Sequence, residues 1–183
     1  MKLQLEKYEN NYKTLEEKIQ AAIELLQKYE SLALQYSKRG FHVAFSGGKD
    51  SQVIYELCKM ASVKHQAYFY KTSVDPKELL RFLKNQYPDV IWLRPKETMF
   101  QLISRKHILP TRMTRYCCDF IKERKGLNEV TITGIRKAES NNRKKRQRFE
   151  TSCKLGMEKI LFNLIIDWSD KNVFDFLKMR NIE

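Results

Sequence analysis

Six consecutive residues, Ser46-Gly47-Gly48-Lys49-Asp50-Ser51, have the composition of an anion-binding loop. They follow the apolar run 41–45 and precede apolar residues at helical spacing, so a strand, a tight turn and a helix are predicted. The two glycines let backbone N–H groups approach an anion, and the start of the helix directs its positive dipole end there. Lys49 and the two serines add charge and hydrogen bonds. These features predict a phosphate site, and the alternative is a purely structural turn capped by Asp50.

The loop is neither a Walker A loop nor a Gly-x-Gly-x-x-Gly motif, because the glycine spacing differs from both. Around it, strands alternate with helices. Strands are predicted over 41–45, 67–70, 90–93, 130–133 and 159–166, and helices over 4–38, 53–60, 76–87, 97–106, 112–125 and 169–179. This order predicts an α/β fold with a Rossmann-like, mainly parallel five-stranded sheet and helices on both faces. Ligands of such sheets bind beyond the carboxyl ends of the strands, where the loop lies.

A long N-terminal helix precedes this domain. Apolar residues recur every three or four positions from Leu5 to Tyr36, which predicts one helical stripe. The stripe either packs on its own domain or forms a coiled coil in a homodimer. The predicted division is a helical extension over 1–38 and an α/β domain over 39–183.

The charge is concentrated in one part of the chain. The 183 residues include 35 Lys and Arg against 22 Asp and Glu, a net charge of +13. Residues 94–148 alone hold 16 basic and 5 acidic residues, or +11. Such a positive field favours a polyanionic partner, either the phosphates of a nucleotide or a nucleic-acid backbone.

The lack of a long apolar segment indicates an intracellular protein. The start of the chain is charged, and no apolar run approaches the roughly 18 residues of a membrane-spanning helix. We therefore expect a cytoplasmic protein with no membrane partner. In that compartment the four cysteines are expected to be metal ligands, reactive thiols or core residues, not disulfides.

The chain from Phe41 to Leu177 resembles the phosphoadenosine phosphosulfate (PAPS) reductase family of the adenine-nucleotide alpha-hydrolase-like, or PP-loop, superfamily. The resemblance is carried by motifs in family order: the Ser46–Ser51 loop, Thr72 with Asp75-Pro76-x-Glu78, Thr111-Arg112-x-x-Arg115-Tyr116-Cys117-Cys118, Thr133-Gly134-Ile135-Arg136-x-x-Glu139-Ser140 and Ile165-Ile166-Asp167-Trp168-Ser169-Asp170. The Asp75-Pro76 pair also predicts a helix start, with Asp75 as its cap.

The resemblance implies an adenosine nucleotide, namely adenosine phosphosulfate (APS), PAPS or ATP. Its phosphate or sulfate end would lie at the Ser46–Ser51 loop, and Lys49 is the predicted catalytic residue because an ammonium neutralises charge on a leaving group. Further contacts are predicted from Thr72, Arg112, Arg115, Gly134 and Arg136, since Arg offers forked donors to phosphate and sulfate oxygens. The implied function is sulfonucleotide reduction or sulfur transfer. Two alternatives are an ATP-using enzyme of nucleic-acid thiolation and a non-catalytic, truncated nucleotide-binding module.

Cys117, Cys118 and Cys153 are candidate ligands of a [4Fe-4S] cluster, which usually takes four thiolates. In cluster-bearing relatives the paired cysteines join a later Cys-x-x-Cys, and reductases have a catalytic cysteine near the C-terminus. This sequence contains neither, so the predicted cluster is incomplete and the pair could equally be a remnant half-site. Cys58 is predicted to lie in the core.

The run Arg143-Lys144-Lys145-Arg146-Gln147-Arg148 has two interpretations. One is a solvated loop, such as a lid over the nucleotide. The other is a contact with nucleic acid, because five charges can neutralise several backbone phosphates.

Overall fold

The computed structural model describes residues 14–111, 113–123, 126–154 and 157–182, beginning with helix α1 (Leu15–Tyr36). Thr14 caps this helix: its hydroxyl accepts a hydrogen bond from the Glu17 amide, and the Glu17 carboxylate accepts one from the Thr14 amide. The predicted N-terminal helix is therefore confirmed over 15–36, while its predicted first part, 4–13, lies outside the described residues.

One face of α1 is buried against its own domain. Ile19, Ala22, Leu26 and Ala33 belong to the same apolar core as the sheet. A homodimer through α1 stays a prediction, and it would have to use a surface of the helix other than this stripe. The boundary at residue 38 also stays a prediction, since the core continues across it.

The sheet has one strand more than the sequence predicts. Its strands are β1 (Phe41–Phe45), β2 (His65–Tyr70), β3 (Ile91–Leu93), β4 (Val130–Thr133), β5 (Phe149–Lys154) and β6 (Met157–Asn163). Their order is β3-β2-β1-β4-β6-β5, and every pairing is parallel except that of β5 with β6. The α/β class and the mainly parallel sheet are confirmed. The additional strand, β5, is a polar edge strand that pairs on one side only, so it has no strong apolar pattern.

The last parallel strand ends earlier than predicted. β6 stops at Asn163, because the chain then turns: the Ile166 amide donates to the Asn163 carbonyl and the Trp168 amide to the Ile165 carbonyl. The final helix nevertheless begins where predicted, with the Ser169 hydroxyl accepting from the Asn172 amide.

The remaining helices are α2 (Lys49–Met60), α3 (Lys77–Gln86), α4 (Met99–Lys106), α5 (Tyr116–Cys118), α6 (Asn141–Lys144) and α7 (Asp170–Met179), with a π-helical turn over Asp119–Glu123 and a 3-10 turn over Lys137–Glu139. The helix predicted over 112–125 is confirmed from Tyr116 to Glu123, where the short α5 continues directly into the π-helical turn. The Thr111 hydroxyl accepts from the Thr114 amide, and this local turn delays the helix until Tyr116. Within the described ranges, no helix is long and apolar enough to cross a membrane.

The two faces of the sheet differ in polarity. Phe41, Val43 and Phe45 of β1 point into the core shared with α1, α2, α3 and α7. Right-handed crossovers direct the connection from β3 to β4 over the opposite face, because it returns across the sheet in the direction opposite to that of the β1–β2 and β2–β3 connections. That opposite face has His42 and Thr131, which are level with each other in the sheet. The buried polar residues His42 and Thr131 therefore lie on the face of the sheet over which the β3–β4 connection passes.

Candidate functional site

The Ser46–Ser51 loop joins the end of β1 to the start of α2. Gly47 has φ +79°, and a Cβ atom there would lie 2.8 Å from Leu79 Cδ1 and 2.9 Å from Leu83 Cδ2. Only glycine adopts this positive φ without strain and also leaves the space beside the two leucines free. Gly48 is the N-cap of α2 and supplies no side-chain cap. The Ser51 amide donates to the Gly48 carbonyl at 3.0 Å, whereas the amides of Lys49 and Asp50 precede the first intrahelical hydrogen bond. Such amides suit an anion, and a phosphate at this loop stays a prediction.

Hydrogen bonds hold the loop in this shape. The Ser46 hydroxyl donates to Ser51 Oγ at 3.2 Å, and the Ser51 hydroxyl donates to the Gly48 carbonyl at 2.7 Å. Gln52, which is 5% exposed, donates from Nε2 to the Gly47 carbonyl at 2.9 Å. Its Oε1 accepts from the Tyr87 hydroxyl at 2.7 Å. Sequence reasoning missed Gln52; its position directly after the loop was the available signal.

Lys49 begins α2 and lies between two carboxylates. Its Nζ is 3.5 Å from Asp50 Oδ2 and 3.8 Å from Asp170 Oδ1. The side chain is 36% exposed, so the ammonium is oriented by these carboxylates but still reaches solvent. This arrangement suits a group that meets an incoming anion.

Asp50 is not a helix cap: Gly48 has that position, and Asp50 pairs with Arg136 instead. Arg136 Nε donates to Asp50 Oδ1 at 2.7 Å, Nη2 donates to Asp170 Oδ1 at 2.8 Å, and Nη1 donates to the Trp168 carbonyl at 3.4 Å. We call this set of contacts the Arg136 clamp. It joins the turn after β4 to the first turns of α2 and α7.

The Arg136 clamp changes the interpretation of that arginine. The side chain is only 1% exposed. Burial on its own lowers the pKa of Arg136, but the hydrogen bond to Asp170 and the charge of Asp50 outweigh it and raise the pKa. The same pairing lowers the pKa of Asp170. A direct contact of Arg136 with a ligand stays a prediction, and the geometry favours a positioning role.

Gly134 is required by the same packing. A Cβ atom at this position would lie 2.9 Å from Asp50 Cβ and 3.2 Å from the Asp50 backbone. The glycine at the end of β4 therefore allows the first turn of α2 to approach the strand. A direct ligand contact of Gly134 stays a prediction.

Thr72 lies at the next strand end. Its amide and hydroxyl donate to the two carboxylate oxygens of Asp75, at 2.7 and 2.8 Å. The Asp75 carboxylate therefore bonds to Thr72 and is not the N-cap of the following helix. Pro76 has the N-cap position, and the helix begins at Lys77, one residue later than predicted. Whether Thr72 contacts a nucleotide stays a prediction.

A cavity of about 410 Å³ opens beside the loop, within the range of roughly 300 to 1,000 Å³ typical of small-molecule sites. Residues from four strands and α3 line it, among them Ser46, Tyr70, Asp75, Thr131 and Thr133. Ser46 therefore belongs to both the loop and the cavity wall. β2, β1 and β4 are neighbours in the sheet. The strand order reverses between β1 and β4, and such a switch point is where sheets of this kind bind ligands.

The cysteine pair lies apart from this cavity's lining. Cys117 and Cys118 are free thiols of intermediate exposure, and burial together with the Cys118 thiol raises the pKa of Cys117. Arg115 Nη2 lies 3.6 Å from Cys118 Sγ. Arg112 and the side chain of Cys153 lie outside the described residues. Cys58 is buried, as predicted.

The described residues do not fit an iron-sulfur cluster. Among them no group of three His, Cys, Asp or Glu side chains is placed to hold a metal ion. Two adjacent thiols supply half of the usual four thiolates. A cluster bound by Cys117, Cys118 and Cys153 stays a prediction.

The basic run is largely paired within the chain. Arg143 pairs with Glu139, Arg146 with Glu150 at 2.8 Å, and Arg148 with Asp167 at 2.5 Å. Their charges are therefore partly neutralised. The exposed charges of the run that no described acid balances are those of Lys144 and Lys145.

Residues 40–183 match the phosphoadenosine phosphosulfate reductase domain, and this match includes the loop, the Arg136 clamp and the cavity. The chain belongs to the PAPS reductase domain family. The predicted family is thereby confirmed. A search of the curated proteins finds no match to this PAPS reductase domain.

Solved structures share the fold of this PAPS reductase domain at low sequence identity. FMN adenylyltransferase from Candida glabrata, in complex with FMN and the ATP analogue AMPCPP, is 14% identical with a TM-score of 0.58, covering 93% of this chain and 60% of that one. NMN synthetase from Francisella tularensis is 12% identical with a TM-score of 0.60, covering 94% and 73%. NH3-dependent NAD synthetase from Campylobacter jejuni is 15% identical with a TM-score of 0.61, covering 94% and 76%. At these identities the likeness concerns the fold.

Proposed function

We propose that this chain binds an adenosine nucleotide, with its phosphate or sulfate end at the Ser46–Ser51 loop and its nucleoside in the adjoining cavity. The observation that carries the proposal is the position of Ser46, which belongs to the loop and also lines the cavity. An anion held by the first N–H groups of α2 is thereby joined to a space of ligand size. The bound complex of a neighbouring fold with an ATP analogue is consistent with this use of the architecture.

The substrate is APS or PAPS and the reaction is sulfonucleotide reduction or sulfur transfer. Family membership over residues 40–183 supports this class. In both compounds the reacting bond is the S–O bond of a phosphosulfate anhydride. A thiolate supplied by a separate thiol donor attacks the sulfur, the new S–S bond takes the sulfonate group, and the bonding electron pair of the broken S–O bond leaves with the phosphate oxygen. The loop and Lys49 concentrate positive charge where that oxygen would lie.

Lys49 stabilises the developing charge. Its ammonium is held between Asp50 and Asp170 at 3.5 and 3.8 Å, so its direction is set before a ligand arrives. Preorganised charge of this kind lowers the barrier because no reorganisation is needed during the reaction. The Arg136 clamp fixes the same two carboxylates from the buried side, so Arg136 acts through Lys49 and the loop.

Calorimetry with ATP, APS and PAPS tests the proposal on the full chain. Lys49→Met is expected to weaken binding of the preferred nucleotide by roughly tenfold or more, because it removes a charge-assisted contact of about 1.5–3 kcal/mol. Lys59→Met is the matched control, since Lys59 lies in the last turn of the same helix. No binding of any of the three nucleotides to folded protein would refute the proposal, and equal effects of the two variants would refute the role of Lys49.

A second candidate function is ATP-dependent thiolation of a nucleic acid, which the exposed Lys144 and Lys145 favour. Lys144 is the last residue of α6 and Lys145 is its C-cap, in the segment that follows Arg136 along the chain. A Lys144→Ala/Lys145→Ala variant is expected to bind RNA or DNA more weakly and with a salt slope smaller by about 2. Lys77→Ala/Lys84→Ala on α3 is the control, and unchanged affinity of the α6 variant contradicts this function.

A further inference from the structure

The peptide bond between Gly47 and Gly48 is held by a side chain from outside the six-residue loop. Gln52 Nε2 donates to the Gly47 carbonyl at 2.9 Å in a buried contact. Because Gln52 is shielded from solvent, water does not compete for this carbonyl. The hydrogen bond therefore fixes the direction in which the Gly47 carbonyl points.

The direction of this carbonyl determines the direction of the Gly48 amide. The peptide bond is planar and trans, so its C=O and its N–H point to opposite sides of the chain. With the Gly47 carbonyl held by Gln52, the Gly48 N–H points the other way and donates to Ser46 Oγ at 3.4 Å. Ser46 lines the cavity beside the loop. The Gly48 N–H is therefore on the cavity side, and its hydrogen bond there is a long one.

The two glycines make this orientation easy to lose. A peptide unit reverses when ψ of the first residue and φ of the second change together, and glycine allows both signs of φ. The reversed unit would direct the Gly47 carbonyl oxygen at a bound anion, where a positive group is needed. The contact with Gln52 opposes the reversal, because a buried Nε2 would then lose its acceptor.

The amide of Gln52 is itself held by a residue of the next helix. The Tyr87 hydroxyl donates to Gln52 Oε1 at 2.7 Å, from 35 positions along the chain, and Tyr87 is the C-cap of α3. Burial raises the pKa of Tyr87 to about 12, so the phenol keeps its proton. Since Oε1 receives this hydrogen bond, Nε2 of the same amide faces Gly47. The end of α3 is thus connected to the loop through Gln52.

We propose that Gln52 is a positioning residue of the anion site, which keeps the Gly48 N–H directed at the phosphate or sulfate group of the ligand. This inference rests on the proposed nucleotide site and adds a residue beyond its six-residue loop. Gln52 does not touch the ligand and acts through the Gly47–Gly48 peptide. When the anion binds, the Gly48 N–H exchanges its long contact with Ser46 for a charge-assisted hydrogen bond.

Gln52→Met tests the inference, because it removes the donor and keeps an unbranched side chain. The folded variant is expected to bind the preferred nucleotide roughly tenfold more weakly in calorimetry, through loss of one hydrogen bond to a charged group. In ¹H–¹⁵N NMR spectra the Gly48 amide signal should respond to the nucleotide in the wild type and not in the variant. The Asp50 amide signal should respond in both. A merely structural role would lower the stability and leave the affinity of the folded molecules and the Gly48 response unchanged.

Gln86→Met is the matched control. Gln86 is the last residue of α3 and lines a second cavity, of about 340 Å³, which Gln52 and Tyr87 also border. It is expected to keep the wild-type affinity and the Gly48 response. Gln52→Glu is a second variant that preserves the shape of the side chain. Its ionised carboxylate accepts from Tyr87 but cannot donate to Gly47, so the affinity should fall at least as far, and Gln86→Glu controls for the added charge.

Wild-type affinity in the folded Gln52 variants overturns the inference while the proposed nucleotide site stands. A Gly48 signal that does not respond to the nucleotide in the wild type has the same meaning. If Gln52→Met does not fold, Gln52→Glu and its control decide the question. Failure of the folded wild type to bind ATP, APS and PAPS overturns both the inference and the proposed function.

Discussion

Replacing Arg136 with methionine is expected to lower the free energy of unfolding by about 3 kcal/mol, even though the replacement keeps much of the aliphatic stem. Arg136 is 1% exposed, and its Nε donates to Asp50 at 2.7 Å. Removing the guanidinium leaves the Asp50 carboxylate, itself only 20% exposed, without its buried partner. Removing one member of a buried ion pair destabilises the fold by more than the intact pair stabilises it. The reason is that the remaining charge stays buried with neither water nor a partner.

The magnitude follows from the surroundings of Asp50. Breaking a buried pair from one side costs about 3–5 kcal/mol. Two features reduce the cost here. Lys49 Nζ lies 3.5 Å from the other Asp50 oxygen, and the carboxylate lies in the first turn of α2, where the helix dipole contributes about 0.3–1 kcal/mol. The second partner, Asp170, is mostly exposed and regains water, so it adds nothing to the sum. The expected cost is therefore about 2–4 kcal/mol.

Urea unfolding of four proteins measures this cost: wild type, Arg136→Met, Asp50→Asn and the double variant. The double variant is expected to be more stable than the two single costs predict, by about 1–3 kcal/mol, because neutralising Asp50 removes the stranded charge. Arg105→Met is the control, since Arg105 forms an exposed pair with Glu97 at 2.9 Å and is expected to cost about 0.2–1 kcal/mol. A cost for Arg136→Met no larger than that control, or additive single costs, would refute the buried-pair argument.

Three further results are expected. Gly47→Ala should lower the free energy of unfolding by more than about 2 kcal/mol in thermal unfolding, because φ is +79° and two leucines block a Cβ, whereas Gly48→Ala should cost less than about 1; similar costs for both contradict this. Glu129 has a lowered pKa, from its hydrogen bond with His42, so it stabilises the fold above its ordinary value of 4.5 and loses that contribution as the pH falls through the folded pKa. The stability gap between wild type and Glu129→Gln should therefore shrink below about pH 4.5, and a gap constant from pH 7 to 3 argues against the pairing. Iodoacetamide should label Cys117 in the folded protein, faster as the pH rises toward its raised pKa, and should label buried Cys58 only after unfolding; mass spectrometry of the peptides would show early Cys58 labelling if this is wrong.

The phosphate loop could be predicted from the sequence because its chemistry is local. Six adjacent residues supply the turn, the charge and the helix start, so no tertiary information is needed. The same holds for the final helix, since the Ser169 cap and the apolar residues behind it are all within one short segment. The order of strands and helices then predicts where the loop must lie in the sheet.

The role of Arg136 could not be predicted in this way. Its distance from the strand end pointed to the site, but its burial depends on Asp50 and Asp170, which are 86 and 34 positions away. The buried contact of His42 with Glu129 was missed for a similar reason: the two residues are 87 positions apart, and neither lies in a recognised motif. The late start of the helix after Thr111 was not predicted, because the apolar spacing continues there while a local side-chain hydrogen bond competes with the backbone.

The Arg136 clamp also determines when the site can be completed during synthesis. A chain emerging from the ribosome presents the loop first, then residue 136, and residue 170 after both. Until α7 has formed and Asp170 has met Arg136, Lys49 and Asp50 lack part of the set of contacts that holds them. A nascent chain stopped before residue 170 therefore has the loop sequence without its final geometry. The proposed anion binding at Ser46–Ser51 would thus be a late property of folding, acquired when α7 docks.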